Sequence, residues 1–196
     1  MYMQDGVLLE KWSESMKGVF TLADLRALYG DISDDGLYRK LKRMQEAQQL
    51  IKVKRGLYAR PSASLLDISA RIEPAAYIST GTVLERCMMM GSIPARRVQA
   101  VKVGAPRTCK CALGVIEHLS IAKHLFFGFT KEDGVCVATP EKAWIDTCYF
   151  AYKGRAFSFD LDTDVDKGRL DAALLTEYLE PYDARFREHF NRNWRT

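Results

Sequence analysis

The residues of this chain best suited to chemistry are cations. Between Leu37 and Arg60 there are eight Lys/Arg and a single Glu, a local balance of +7 in a chain of net charge +4, so the remainder sums to −3. Charge confined to one stretch is an electrostatic footprint for a polyanion, as opposed to general solubility. The cations fall into two groups, Arg39, Lys42 and Arg43, then Lys52, Lys54 and Arg55, with Gly36 just ahead of the first. Arginine can read a guanine edge with two parallel hydrogen bonds, and lysine neutralises phosphate as a point charge.

Two elements must position them. Leu37, Leu41 and Met44 recur at i, i+4 and i+7, which predicts one buried stripe of a helix. Asp35, Arg39, Lys42, Arg43 and Glu46 then fall on the opposite, solvent face. Ser33 suits the N-cap, and Asp34 and Asp35 favour the first turn. Leu50 to Lys54 reads as a strand, Arg55-Gly56 as a turn, and Leu57-Tyr58-Ala59 as the return, stopped by Pro61. Upstream, Val7 to Lys17 reads as a first helix. A second opens at Phe20-Thr21-Leu22-Ala23-Asp24, with a capping-box spacing of Thr21 and Asp24, and ends at Gly30. Three helices followed by a basic hairpin outline a winged helix-turn-helix, whose third helix enters the major groove by its N-terminal residues. Gly36, Arg39, Lys42 and Arg43 are therefore expected to face the groove, and Lys52, Lys54 and Arg55 the phosphates or the minor groove. The expected partner is double-stranded DNA, two copies of the chain meeting an inverted repeat as a homodimer or as cooperative monomers.

Pro61-Ser62-Ala63-Ser64 marks the expected boundary between a DNA-binding domain, 1–63, and a second domain, 64–196. The second opens with a short helix over Leu65 to Ile72, a brief strand at Tyr77-Ile78, and a helix capped by Ser79 that runs to Met90. Short strands are expected at Val98–Val103, Cys109–Ala112, Gly114–Leu119, Leu125–Phe129 and Val135–Ala138. Thr139-Pro140-Glu141 starts a further helix with a cap, a proline at the first position and an acid in the first turn. Past the acidic run Asp160 to Asp166, two helices follow. The last spaces Tyr182, Phe186, Phe190 and Trp194 four apart, an aromatic ridge expected to pack on the sheet. The fold class is α+β: a winged helix-turn-helix, then a mixed domain with a small, mostly antiparallel sheet and helices.

Other chemistries find little support. Cys109 and Cys111 share one side of a strand, with His118, His124 and Cys136 near in sequence, but the second close ligand pair of a structural zinc site is missing. Asp160, Asp162, Asp164 and Asp166 lack the glycine turn and terminal glutamate of a calcium loop. Glycine-rich phosphate loops and the [DE]-x-K signature of endonuclease folds do not occur. No metal, no cofactor and no catalysis are expected. Five scattered cysteines, no long apolar run and no leader-like N-terminus suit a reducing cytoplasm and no membrane partner.

Three segments resemble a known family. Lys54-Arg55-Gly56-Leu57-Tyr58 with Pro61, Tyr77-Ile78-Ser79 with Val83-Leu84, and Ala138-Thr139-Pro140-Glu141-Lys142-Ala143 with Asp146 are similar, in order and spacing, to motifs of the AbiEi antitoxins of bacterial type IV toxin–antitoxin systems. Val83 stands where that family usually has alanine, and the tail after Tyr152 matches no motif. The resemblance implies a repressor of its own operon whose C-terminal domain counters a nucleotidyltransferase-like toxin without a stable complex. It makes Asp146 the candidate antitoxin-surface residue. Two alternatives are a stand-alone winged-helix regulator with a ligand-sensing or dimerising C-terminal domain, and an endonuclease-fold DNA-processing enzyme.

Overall fold

A computed structural model describes residues 2–30, 32–91 and 96–195. The chain is α+β, with eight α-helices and two sheets among the described residues. Helix α1 (Tyr2–Met16) leads into strand β1 (Val19–Thr21), helix α2 (Leu22–Tyr29), helix α3 (Asp34–Glu46) and the hairpin β2 (Ile51–Lys54) and β3 (Leu57–Ala59). Thr21 and Asp24 cap α2 reciprocally, as their spacing predicts. Thr21 also ends β1, so Phe20 and Thr21, expected to open that helix, belong to a strand. The three strands form an antiparallel sheet in the order β1-β3-β2.

The second part begins with α4 (Leu65–Ile72), β4 (Tyr77–Ile78), α5 (Gly81–Arg86), β5 (Arg97–Val103), β6 (Arg107–Cys111), β7 (Gly114–Ile121), β8 (Phe129–Glu132) and β9 (Val135–Ala138). Helices α6 (Pro140–Tyr152), α7 (Ala172–Leu179) and α8 (Ala184–Asn193) follow. The sheet is six-stranded in the order β6-β7-β5-β4-β9-β8. It is mixed: three of its five pairings are antiparallel, in line with the expectation, but β4 pairs β9, and β5 pairs β7, in parallel. Parallel partners are joined by crossovers and not by turns, so no short-range signal announces them. The strand expected at 125–129 is displaced: a 3-10 turn, Lys123–Leu125, comes first, and β8 begins only at Phe129. Helix α5 is also shorter than expected, ending before Met88, which takes a positive φ of 54°.

Side chains alternate across this sheet. Tyr77 and Gln99 face α6 and its neighbours, while Val98, Ala100 and His118 face α4 and the N-terminal sheet. The N-terminal sheet alternates in the same way. Phe20 and Tyr58 join Leu9, Leu25, Leu37, Leu41, Met44 and Leu50 in a small core under the three helices. Val19, Val53, Leu57 and Ala59 belong instead to the large core of the second part. The hydrophobic interior thus runs across residue 63. Helix α6 is buried on nearly every side, and the ridge of α8 packs on α6 through Tyr149 and Tyr152, not on the sheet. No helix among the described residues is long and apolar enough to cross a membrane.

Candidate nucleic-acid interface

Helix α3 forms where its caps and stripe predict. The Ser33 hydroxyl accepts the Gly36 N–H at 3.2 Å, and Asp34 and Asp35 occupy the first turn. Leu37 and Leu41 are 1% exposed and Met44 4%, which fixes the rotation of the helix. Arg39, Lys42 and Arg43 consequently point to solvent. Arg39 Nε donates to the Asp35 carbonyl at 3.2 Å, which leans its guanidinium along the helix toward the N-terminal end. Lys42 stands 4.0 Å from Glu46, and both are well exposed, a geometry worth little in water. Asp34 is engaged by Arg26 at 2.7 Å, so one of the two acids of the first turn is already neutralised. Gly36 has a packing reason. A Cβ there would meet Ile32 Cγ1 at 2.8 Å and the Ser33 hydroxyl at 3.1 Å, so glycine lets the α2–α3 connection close tightly.

The hairpin continues the same charge. Lys54 pairs with Leu57, leaving Arg55-Gly56 as a two-residue turn, and Gly56 takes a φ of +74° that a side chain would resist. A register shift between Lys52 and Lys54 marks a bulge at Val53. Lys52 and Arg55 are exposed and Lys54 is half-buried. Sequence reasoning passed over Tyr38. It is 50% exposed on α3, next to Arg39, and close enough to Tyr58 that its phenol adds to the effect of burial in pushing the Tyr58 hydroxyl up. The signal was available: Tyr38 lies about 100° from Leu37, outside the stripe that needs apolar residues. An exposed aromatic ring among cations offers a base or sugar an apolar contact.

Asp146 has no exposed surface at all. It is the centre of a buried polar cluster rather than part of a face another protein could meet. Lys142, one helical turn earlier and also 0% exposed, donates to Asp146 Oδ1 and, at 2.9 Å, to the Tyr182 hydroxyl. Tyr77 and Ser79 donate to Asp146 Oδ2 at 2.9 and 2.8 Å. The Phe127 ring lies 4.9 Å from the Lys142 ammonium. Burial pulls the Lys142 ammonium down, against the support of Asp146. Burial, followed by the Asp146 charge, pushes the phenols of Tyr77 and Tyr182 well above their usual value. At neutral pH both phenols are therefore donors locked on a carboxylate. The cluster ties β4, α6 and the segment between α7 and α8 together, and its lack of solvent contact suits it to holding the fold.

The remaining candidate ligands are dispersed. Cys109 lies on β6 and Cys136 on β9, with three strands between them. His118 Nε2 is 3.1 Å from the Ser69 hydroxyl, a buried pair between the sheet and α4. His124 is exposed in the 3-10 turn. Among the described residues no group of three or more His, Cys, Asp or Glu is gathered as metal ligands. No family model and no curated protein matches the chain.

Proposed function

We propose that the chain is a DNA-binding transcriptional repressor whose first 63 residues work as a winged helix on its own promoter. The observation that carries this reading is the outward row of Arg39 and Arg43 on α3, continued by Lys52, Lys54 and Arg55 on the hairpin. None of these five makes an ion pair among the described residues, so their charge is available to phosphate and base edges. The resemblance to AbiEi antitoxins adds the second half of the proposal. In that reading the protein is a bacterial, cytoplasmic antitoxin, not an enzyme, and residues 64–196 counter a nucleotidyltransferase-like toxin encoded alongside.

Footprinting on the DNA upstream of the gene tests the first half. Two protected half-sites in inverted orientation are expected; one unrepeated half-site occupied by a single molecule contradicts the reading. Co-expression with the product of the neighbouring gene tests the second half, with growth rescue as the expected outcome and unrelieved toxicity as the contrary one.

A further inference from the structure

The two parts of the chain meet around a cleft of about 350 Å³, a size that suits a small molecule, in the kind of place where small-molecule sites form. Its floor is apolar: Met16 and Val19 from the first part, Ala70 on α4, Pro74 just beyond it, and Val135 at the start of β9. Its rim is charged and carries both signs, with Lys17, Asp67, Arg71 and Asp133. Asp67 and Arg71 stand one turn apart on α4, a spacing at which an aspartate and an arginine ordinarily pair. Here each is turned to the first part instead. Asp67 lies 3.3 Å from Lys17, and Arg71 is bridged to Asp24 of α2. Lys17 also donates to the Asp133 carbonyl on the turn between β8 and β9.

These bridges leave bonding capacity at the rim. Among the described residues Arg71 uses only Nη2, on Asp24, and Asp67 only Oδ1, on Lys17. The Asp133 carboxylate has no ion pair among the described residues. A simple anion drawn to Arg71 would meet the charge of Asp67 and Asp133, and a simple cation would meet Arg71 and Lys17. A molecule that carries both charges on a short apolar body meets neither cost. We infer that this cleft binds a free α-amino acid with a compact apolar side chain. Its carboxylate accepts from the unused nitrogens of Arg71, its ammonium donates to Asp67 and Asp133, and its side chain lies on Val19, Ala70 and Val135. The occupant touches both parts of the chain and so adds a tie between them. The inference does not depend on the duplex-DNA reading.

The test is calorimetric titration of the full chain, without DNA, with L-leucine as the probe. Isocaproate, which lacks the ammonium, and isoamylamine, which lacks the carboxylate, are run beside it. One leucine per chain and a raised melting temperature are expected, with each analogue at least about tenfold weaker, the effect of losing one charged hydrogen bond. Asp67→Asn keeps the shape of the side chain and is expected to weaken leucine about tenfold while isocaproate, which makes no use of that charge, binds no more weakly than to wild type. Ala70→Leu fills the floor and is expected to abolish binding in a protein whose circular dichroism matches wild type; should it misfold, the Asp67→Asn comparison decides. No heat and no melting shift with either L-leucine or L-phenylalanine overturns the site. Leucine and both analogues binding alike overturns the zwitterion. Leucine held equally by wild type and Asp67→Asn puts the ligand elsewhere and overturns the assignment to this cleft.

Discussion

Single residues set the most sharply testable quantities. Lys142 and Asp146 are both 0% exposed, so neither can be released to water when its partner is removed. Asp146→Asn is expected to cost about 3–5 kcal/mol, the usual penalty for breaking a buried pair. A Lys142→Met, Asp146→Leu double variant, which removes both charges, is expected to recover part of that loss. Chemical denaturation of the three proteins checks this, and a single variant as stable as wild type contradicts it. His118 supplies the pH dependence. Burial holds its imidazole below the ordinary value, against the Ser69 contact and the charge of Glu73, and its Nδ1 has no partner among the described residues. The unfolded chain therefore takes up the proton first, at about pH 6.5. Stability should fall as pH drops through that value, and continue falling until the folded imidazole also protonates. Melting curves between pH 7.5 and 5 (roughly the window of histidine titration) should show this slope in wild type and a flatter one in His118→Gln. Sequence alone marked Asp146 only through its family resemblance. Lys142 and Asp146 at i, i+4 look like an ordinary surface pair, and what buries them is the arrival of Tyr77 and Tyr182 from distant parts of the chain.

Local signals were most legible at the scale of elements. The stripe of α3, the caps of α2, α3 and α6, and the Arg55-Gly56 turn are all short-range features, and each is found where the residues place it. Three-residue β1 was not legible, because it exists through pairing with β3, whose residues lie more than thirty positions later. The parallel pairs of the large sheet are hidden for the same reason. Helix α8 was legible as an amphipathic helix but not in its partner: Phe186 and Phe190 are fully buried, and Tyr149 and Tyr152 of α6 meet the Phe186 ring. The cap of α3 has a measurable consequence. Ser33→Ala removes the acceptor of the Gly36 N–H and is expected to cost about 1 kcal/mol, read as a lower denaturation midpoint. An unchanged midpoint would mean that water replaces the cap without loss.

The whole molecule joins its two parts more closely than a linker reading implies. The sequence places a boundary at 61–64, and helix α4 does begin just after it, capped by Ser64. Yet Val19, Val53, Leu57 and Ala59, on one face of the small sheet, are buried in the core of the second part. An isolated 1–63 fragment exposes that face to water. Such a fragment is expected to melt well below the full chain and to self-associate, so α3 and the hairpin depend on the second part for their stability. A fragment melting at the temperature of the full chain contradicts this coupling. Because α3 itself rests on the other core, substitutions on its solvent face leave both interiors intact. In the full chain, Arg39→Ala alone is expected to cost roughly 1–3 kcal/mol at one base position. The decisive measurement is the affinity of the Arg39→Ala, Lys42→Ala, Arg43→Ala triple variant for the duplex upstream of its gene, across a salt series. The expected result is a folded protein that no longer prefers that duplex over mixed sequence and has a shallower salt slope. A folded triple variant with unchanged affinity, preference and slope would contradict it.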